Sequence, residues 1–426
     1  MVKPTYQAPT TSTSTTTSQD TVSAPKHSSR PVEHSDHRLI YFDGLRGIAA
    51  IGVIVWHYQH FFALAGQCEG DSHEGVCSGS QAPLFGALRY FYENGFRMVD
   101  LFFVISGLVM YLRYESEVRQ GSVTAVRYVG ARIARLWPLA TLTLAVCALL
   151  TWSHYAAYGS FLFYQQNDVV AFMLNLGFLQ AGFFSDVGLS FNGPSWTIAL
   201  EFWIYLLLFV VLRYFRRPIV VVAPVALLAA ALLINQPQPL LSLWYRCIAG
   251  FFVGSSLAVV RSIVLTRLPR PRRVARALVI FGGASFALFV LQMYVPQIDV
   301  VTGFSDDSRT YMWHMAAVFV PVVIGLSLLP NPINHWSRRI MTWLGNVSYG
   351  VYMWHVPVQM TLVLLLRKMS LEHQIFNASF LMSFLIVVVL VATVGFHLIE
   401  VPLRRKILDW TLKLETTPGV VGRAKS

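Results

Sequence analysis

Of the 426 residues, 55% are hydrophobic and only 13% charged, against about a quarter charged in an average soluble domain. A net charge of +12 suits nucleic acid at first sight, but the positive residues cluster in short segments between long apolar runs. That distribution is the positive-inside pattern of a multi-spanning membrane protein, and it excludes a soluble enzyme and a nucleic-acid partner.

Residues 1–37 are rich in Ser and Thr (TTSTSTTTSQD), carry no apolar period, and read as a disordered cytoplasmic tail. No signal peptide precedes the first apolar run, so that run is expected to be retained. A bilayer core takes about 20 apolar residues per helix. By that measure ten spans lie near 45–65, 96–113, 136–156, 195–212, 218–235, 241–260, 277–295, 311–329, 343–365 and 378–399. Residues 168–184 are an eleventh candidate that would invert everything after it. Charge decides against it. Ten spans with an inner N-terminus put Arg127, Arg132 and Arg135, the 213–217 and 261–276 arginines, Arg338, Arg339, Arg404 and Arg405 inside. The expectation is therefore an all-α integral membrane protein of about ten helices with both termini cytoplasmic. Residues 168–184 become an outer interfacial or re-entrant segment. A membrane domain covers 38–405, and 406–426 form a short basic tail.

Cys147 and Cys247 lie within spans and read as packing residues. Cys68 and Cys77 share the first outer loop and are a possible disulfide if that face is oxidising. No metal-ligand spacing is present.

Ionisable groups inside spans cost roughly 2.5–3.5 kcal/mol at a helix centre on insertion scales, so each asks for a reason. In the first span, Arg46 and His57 are eleven residues apart, about 16 Å along the axis and nearly on one face. They are either a basic flank and a packed histidine, or an anchor aligned with a mid-membrane imidazole. Arg132 and Arg135 share a helix face, which suits phosphate but also serves as a topology signal. Asp100 lies shallow on the outer side, with Ser106 deeper in the same span. Ser195 and Trp196 open the fourth span as a cap and its neighbour. Glu201 sits roughly 9 Å below the outer surface, within reach of pairing with His57. His355 matches the depth of His57, with Tyr349 before it. Glu400 ends the tenth span, where pairing with an arginine is expected.

These motifs, in this order, resemble the membrane acyltransferase 3 family of polytopic carbohydrate O-acyltransferases over about 39–405. FDGLRGIAAIGVIVWH holds the Arg-x10-His element, with Asp43 beside it. VDLFFVISGL, RIARLWP, SWTIALEFWIY, SYGVYMWHVP and the final EVP follow. The resemblance implies a stand-alone form without an esterase-like domain, in a bacterial inner membrane. It implies acetyl-CoA as donor from the cytoplasm, its phosphates on Arg46, Arg132 and Arg135, and a carbohydrate or glycolipid hydroxyl as acceptor, without a metal. His57 would be general base or acyl carrier, with Arg46 and Glu201 in support. Asp43, Asp100, Ser106, Ser195, Trp196, Tyr349 and His355 are further support candidates. The alternative is a transporter or flippase in which His57, Glu201 and His355 relay protons.

Overall fold

The structure is a computed structural model that describes residues 39–64, 81–180, 189–235, 239–295, 307–331 and 334–416. Residues 1–38, Cys68 and Cys77 lie outside the described residues. A backbone in hydrocarbon must satisfy its own hydrogen bonds, and helices do so within the segment. The chain answers with α1 (Ile40–His57), α2 (Met98–Arg119), α3 (Ala125–Tyr158), the short α4 (Val169–Leu176) and α5 (Trp196–Tyr214). Then come α6 (Ile219–Asn235), α7 (Pro239–Arg267), α8 (Pro271–Tyr294), α9 (Asp307–Leu328), α10 (His335–Met369), α11 (Ala378–Gly395) and α12 (Val401–Thr416). Among the described residues nine helices are long and apolar enough to cross a membrane, and the shorter apolar helix Ile219–Ile234 matches the remaining expected span. Turns of π-helix interrupt α9 at His314–Phe319 and join α11 to α12 at Phe396–Glu400.

Several helices run past the expected spans, and two of these boundaries bear on the site. The third helix starts before residue 136, because Thr124 caps Arg127 N at 3.1 Å and begins α3 upstream of Arg132 and Arg135, which share a helix face as expected. Beyond residue 405 the chain stays helical to Thr416, held by a hydrogen bond from Thr124 to Glu415.

Contacts at the helix ends sort into two faces. On one, Ile40 N meets Asn331 at 3.2 Å and Arg261 donates to Ser327 O at 2.9 Å. On the other, Tyr58 donates to Ile375 O at 2.6 Å, Tyr294 to Gly86 O at 2.7 Å, and Arg97 pairs with Asp307. The first face carries the arginine-rich turns, and the positive-inside rule makes it the cytoplasmic one.

The segment before α5 is re-entrant. Asp168 caps α4 through Ala171 N at 2.7 Å. Trp152 then donates to Asn167 O at 2.7 Å and Trp137 to Leu176 O at 3.1 Å. Those tryptophans bracket the two ends of α4, so its eight residues, about 12 Å of helix, lie alongside α3. Just after it Phe178 takes a left-handed φ of 57° and accepts from Trp203 at 2.8 Å. Gln180 lies beside Ser195, at 3.3 Å, as does Asn175. Such irregular backbone is tolerated at membrane depth only against protein.

Small residues let helix backbones touch. On α7, Gly250 and Gly254 form a Gly-x-x-x-Gly face against α2. A Cβ at Gly254 would sit 2.0 Å from Val104 O, and one at Gly107 of α2 would sit 1.8 Å from Phe251 O. One turn outward, Arg246 grips Asp100 with Nε–Oδ1 and Nη2–Oδ2 bonds of 3.0 Å each. Asp100 is 1% exposed and its partner 15%. Removing one member of such a pair costs about 3–5 kcal/mol, and overpacking a core about 1–3 kcal/mol. Thermal melting in detergent should therefore show Arg246→Leu well below wild type and Gly254→Val moderately below it. The double change Arg246→Leu with Asp100→Leu should recover part of the loss. Wild-type melting of Arg246→Leu would remove the pair from the account of α2–α7 packing.

Candidate active site

A cavity of about 180 Å³ lies between α1, α2, α3, α5 and α10. Its α2 wall runs from Val99 to Met110, which at about 1.5 Å per residue is a shaft of some 16 Å. Arg46, Arg132 and Arg135 mark its inner end, brought together from α1 and two successive turns of one α3 face. Arg132 sits in an aromatic cage, its guanidinium 5.3 Å from the Tyr114 ring, 5.5 Å from Tyr205 and 5.9 Å from Tyr128. Its Nη2 donates to Tyr114 OH at 2.8 Å, and its Nε is buried without a partner. Arg135 lies 5.5 Å over Tyr349, whose hydroxyl donates to Leu136 O at 2.6 Å. Among the described residues neither Arg46 nor Arg135 makes a hydrogen bond or ion pair. Three guanidiniums converge on one space with much of their donor capacity unspent, which is the chemistry of a phosphate or pyrophosphate seat.

The cavity holds one carboxylate, Glu201. It accepts from Ser106 Oγ at 2.6 Å and from the hydroxyl of Tyr205, one turn on. The expected pairing of Glu201 with His57 is therefore corrected. Two hydroxyls, one from α2 and one from its own helix α5, hold this carboxylate instead.

His57 is buried just beyond the outer end. Its Nδ1 lies 3.0 Å from Val53 O, a carbonyl that can only accept, so Nδ1 carries the proton and Nε2 offers a lone pair. The ring stands 4.8 Å from that of His355 and 5.3 Å from that of His60. Gln359 Nε2 donates to the His57 carbonyl at 2.9 Å and pins α1 to α10 there. Tyr352 separates this compartment from the cavity that it lines. Its ring is 5.9 Å from His355 and 6.1 Å from Phe102. Its hydroxyl donates to Pro194 O and accepts from Thr197 Oγ1, both at 3.0 Å.

Other expected residues fall outside the shaft. Asp100 is taken by Arg246 and so does not face it. Asp43 packs against α10 where a Cβ on Gly345 would come within 2.4 Å of it. Ser195 does not cap α5; it bonds Asn175 and Gln180 of the re-entrant segment at 3.3 Å. Trp196 packs on Phe103, with the Arg246 guanidinium 5.9 Å from its ring. Glu400, expected to pair with an arginine, is 7% exposed and has no hydrogen bond. It lines a second, small cavity with Arg135 and Arg404. Sequence reasoning missed Tyr205, Tyr352, Arg246 and Gln359. The i,i+4 rule would have found Tyr205 from Glu201 and Gln359 from His355, and Arg246 was an intramembrane charge in plain view. Among the described residues no group of three or more His, Cys, Asp or Glu side chains is placed to hold a metal.

Comparison with known proteins bears on this geometry. The family described as Acyltransferase domain (acyltransferase 3) matches residues 39–398. The peptidoglycan O-acetyltransferase OatA of Listeria monocytogenes is 23% identical over 408 residues, covering 88% of this chain and 57% of its own length. The O-acetyltransferase OatA of Staphylococcus aureus is 22% identical over 405 residues, covering 88% and 58%. Protein 2 in the picA locus of Rhizobium radiobacter is 32% identical over 111 residues, 26% of this chain and 44% of its own. The chain thus spans a little over half the length of the two O-acetyltransferases. No solved structure matches. With its ordered motifs, helical membrane architecture and match over 39–398, the chain belongs to the acyltransferase 3 family.

Proposed function

We propose that this protein transfers an acetyl group from acetyl-CoA, held at the cytoplasmic face, to a hydroxyl of a carbohydrate acceptor reached from the other side. The observation that carries this reading is the shaft itself, which starts at three arginines and ends at the tyrosine wall before His57. Arg46, Arg132 and Arg135 take the donor phosphates. The pantetheine arm runs past Ser106 and Glu201, whose bonded hydroxyls keep that wall polar. Rotation of Tyr352 off Thr197 and Pro194 opens the way to His57.

The chemistry follows from the tautomer. His57 Nε2 takes the proton of the acceptor hydroxyl as its oxygen attacks the thioester carbonyl. The C–S bond breaks, the acetyl ester forms, and the imidazolium returns its proton to the departing CoA thiolate. The Val53 carbonyl holds the ring throughout. The named relatives acetylate peptidoglycan or carry the name O-acetyltransferase, which supports acetyl as the group and a wall polysaccharide as the acceptor class. A proton relay through His57, Glu201 and His355 is disfavoured because Glu201 is committed to Ser106 and Tyr205.

The test is purified protein with labelled acetyl-CoA and a peptidoglycan digest, scored by CoA release and by base-labile acetate on glycan. His57→Ala should lower transfer by about 10²–10⁴-fold with an unchanged melting temperature. Full activity in that variant would sink the mechanism. Arg132→Leu and Arg135→Leu each remove a charged hydrogen-bond donor worth about 1.5–3 kcal/mol. The KM for donor should rise at least about tenfold in each. An unchanged KM would place the donor elsewhere.

A further inference from the structure

Beyond the Tyr352 wall, several side chains share one pattern. His57 and His355 donate Nδ1–H to backbone carbonyls, Val53 O at 3.0 Å and Tyr352 O at 2.6 Å. Gln359 spends its amide NH2 on His57 O at 2.9 Å, and Asn192 spends its own on Met353 O at 3.0 Å. A carbonyl can only accept, so these contacts fix which way each amide points and which tautomer each ring holds. The atoms left over are all acceptors. His355 Nε2, Gln359 Oε1 and Asn192 Oδ1 are buried and have no partner, on residues 0%, 0% and 1% exposed. They lie together. His355 stands 4.8 Å from His57, Gln359 follows one turn later on the same helix face, and Asn192 is tied to Met353 just before.

We infer that His355, Gln359 and Asn192 form a subsite for an acceptor carrying adjacent hydroxyls, with the reacting hydroxyl on His57 and its neighbours donating to these three atoms. The inference rests on the acyl-transfer reading above and adds the recognition chemistry. Acceptor-only lining suits a sugar ring, which supplies O–H donors. It repels phosphate and carboxylate, which supply none. The two ends of the path are thus opposite in kind, with guanidinium donors for the nucleotide side and lone pairs for the hydroxyl side. A ligand lacking the second hydroxyl leaves buried acceptors unpaired and is rejected strongly.

The experiment uses the full chain in detergent with labelled acetyl-CoA. Its probes are a β-1,4-linked N-acetylglucosamine trimer, trans-1,2-cyclohexanediol and cyclohexanol. His355→Asn keeps a nitrogen near the Nδ1 position and loses Nε2, while Gln359→Met loses Oε1. Each should lower the trimer-over-cyclohexanol ratio of kcat/KM by tenfold or more. On wild-type protein, which needs no variant to fold, the diol should exceed cyclohexanol at least tenfold. A ratio within twofold of wild type in both variants, including equal losses on both probes, would overturn the subsite and leave these residues a structural role. Equal use of diol and cyclohexanol, or cyclohexanol accepted and the trimer refused, would overturn it too. If no probe is acetylated and no CoA is released, the acyl-transfer reading itself fails instead.

Discussion

Within a bilayer a polar atom finds its partner inside the protein or goes without, and that constraint organises everything else in this molecule. It makes the span-forming segments helical. It also sorts the buried polar residues into two groups. Asp100 and Arg246 bond each other twice, with Arg246 also donating to Phe96 O, and hold α2 against α7. His57, His355, Gln359 and Asn192 each satisfy a backbone carbonyl with one atom and keep another open. An unsatisfied buried group costs about 1–3 kcal/mol, so an open atom is expected where a ligand or a proton will meet it.

The seam between α2 and α7 matters for the site because it leaves α2 free on its other side. With Gly107 and Gly254 pressing the two backbones together, Ser106 turns toward α5 and meets Glu201. The shaft wall from Val99 to Met110 is the neighbouring face of α2, with Phe103 shared between it and the seam. On the opposite wall α10 runs parallel to α1, tied by Gln359 at His57 and by the close approach of Gly345 to Asp43. That parallel pairing keeps the arginine end of α1 and its histidine end on the two sides of Tyr352.

The re-entrant segment has a comparable role at the outer end. It packs beside α3 through Trp152 and Trp137 and meets Ser195 at the start of α5. Asn175 and Gln180 meet Ser195 there, so the start of α5, and hence the depth of Glu201, is set from this segment.

Much of this was readable from residue types alone. Apolar runs determined the number of spans, because hydrocarbon thickness sets helix length. Arginine placement determined their direction and the exclusion of residues 168–184 as a span. Eleven intervening positions put Arg46 and His57 on one face of one helix, whatever surrounds it. Partnership was not readable. Whether Asp100 faces a substrate or Arg246, and whether Glu201 meets His57 or Ser106 and Tyr205, depends on which helix packs on which and at what rotation. Those choices rest on contacts between residues far apart in the chain, such as Gly107 with Phe251, and only the folded bundle makes them.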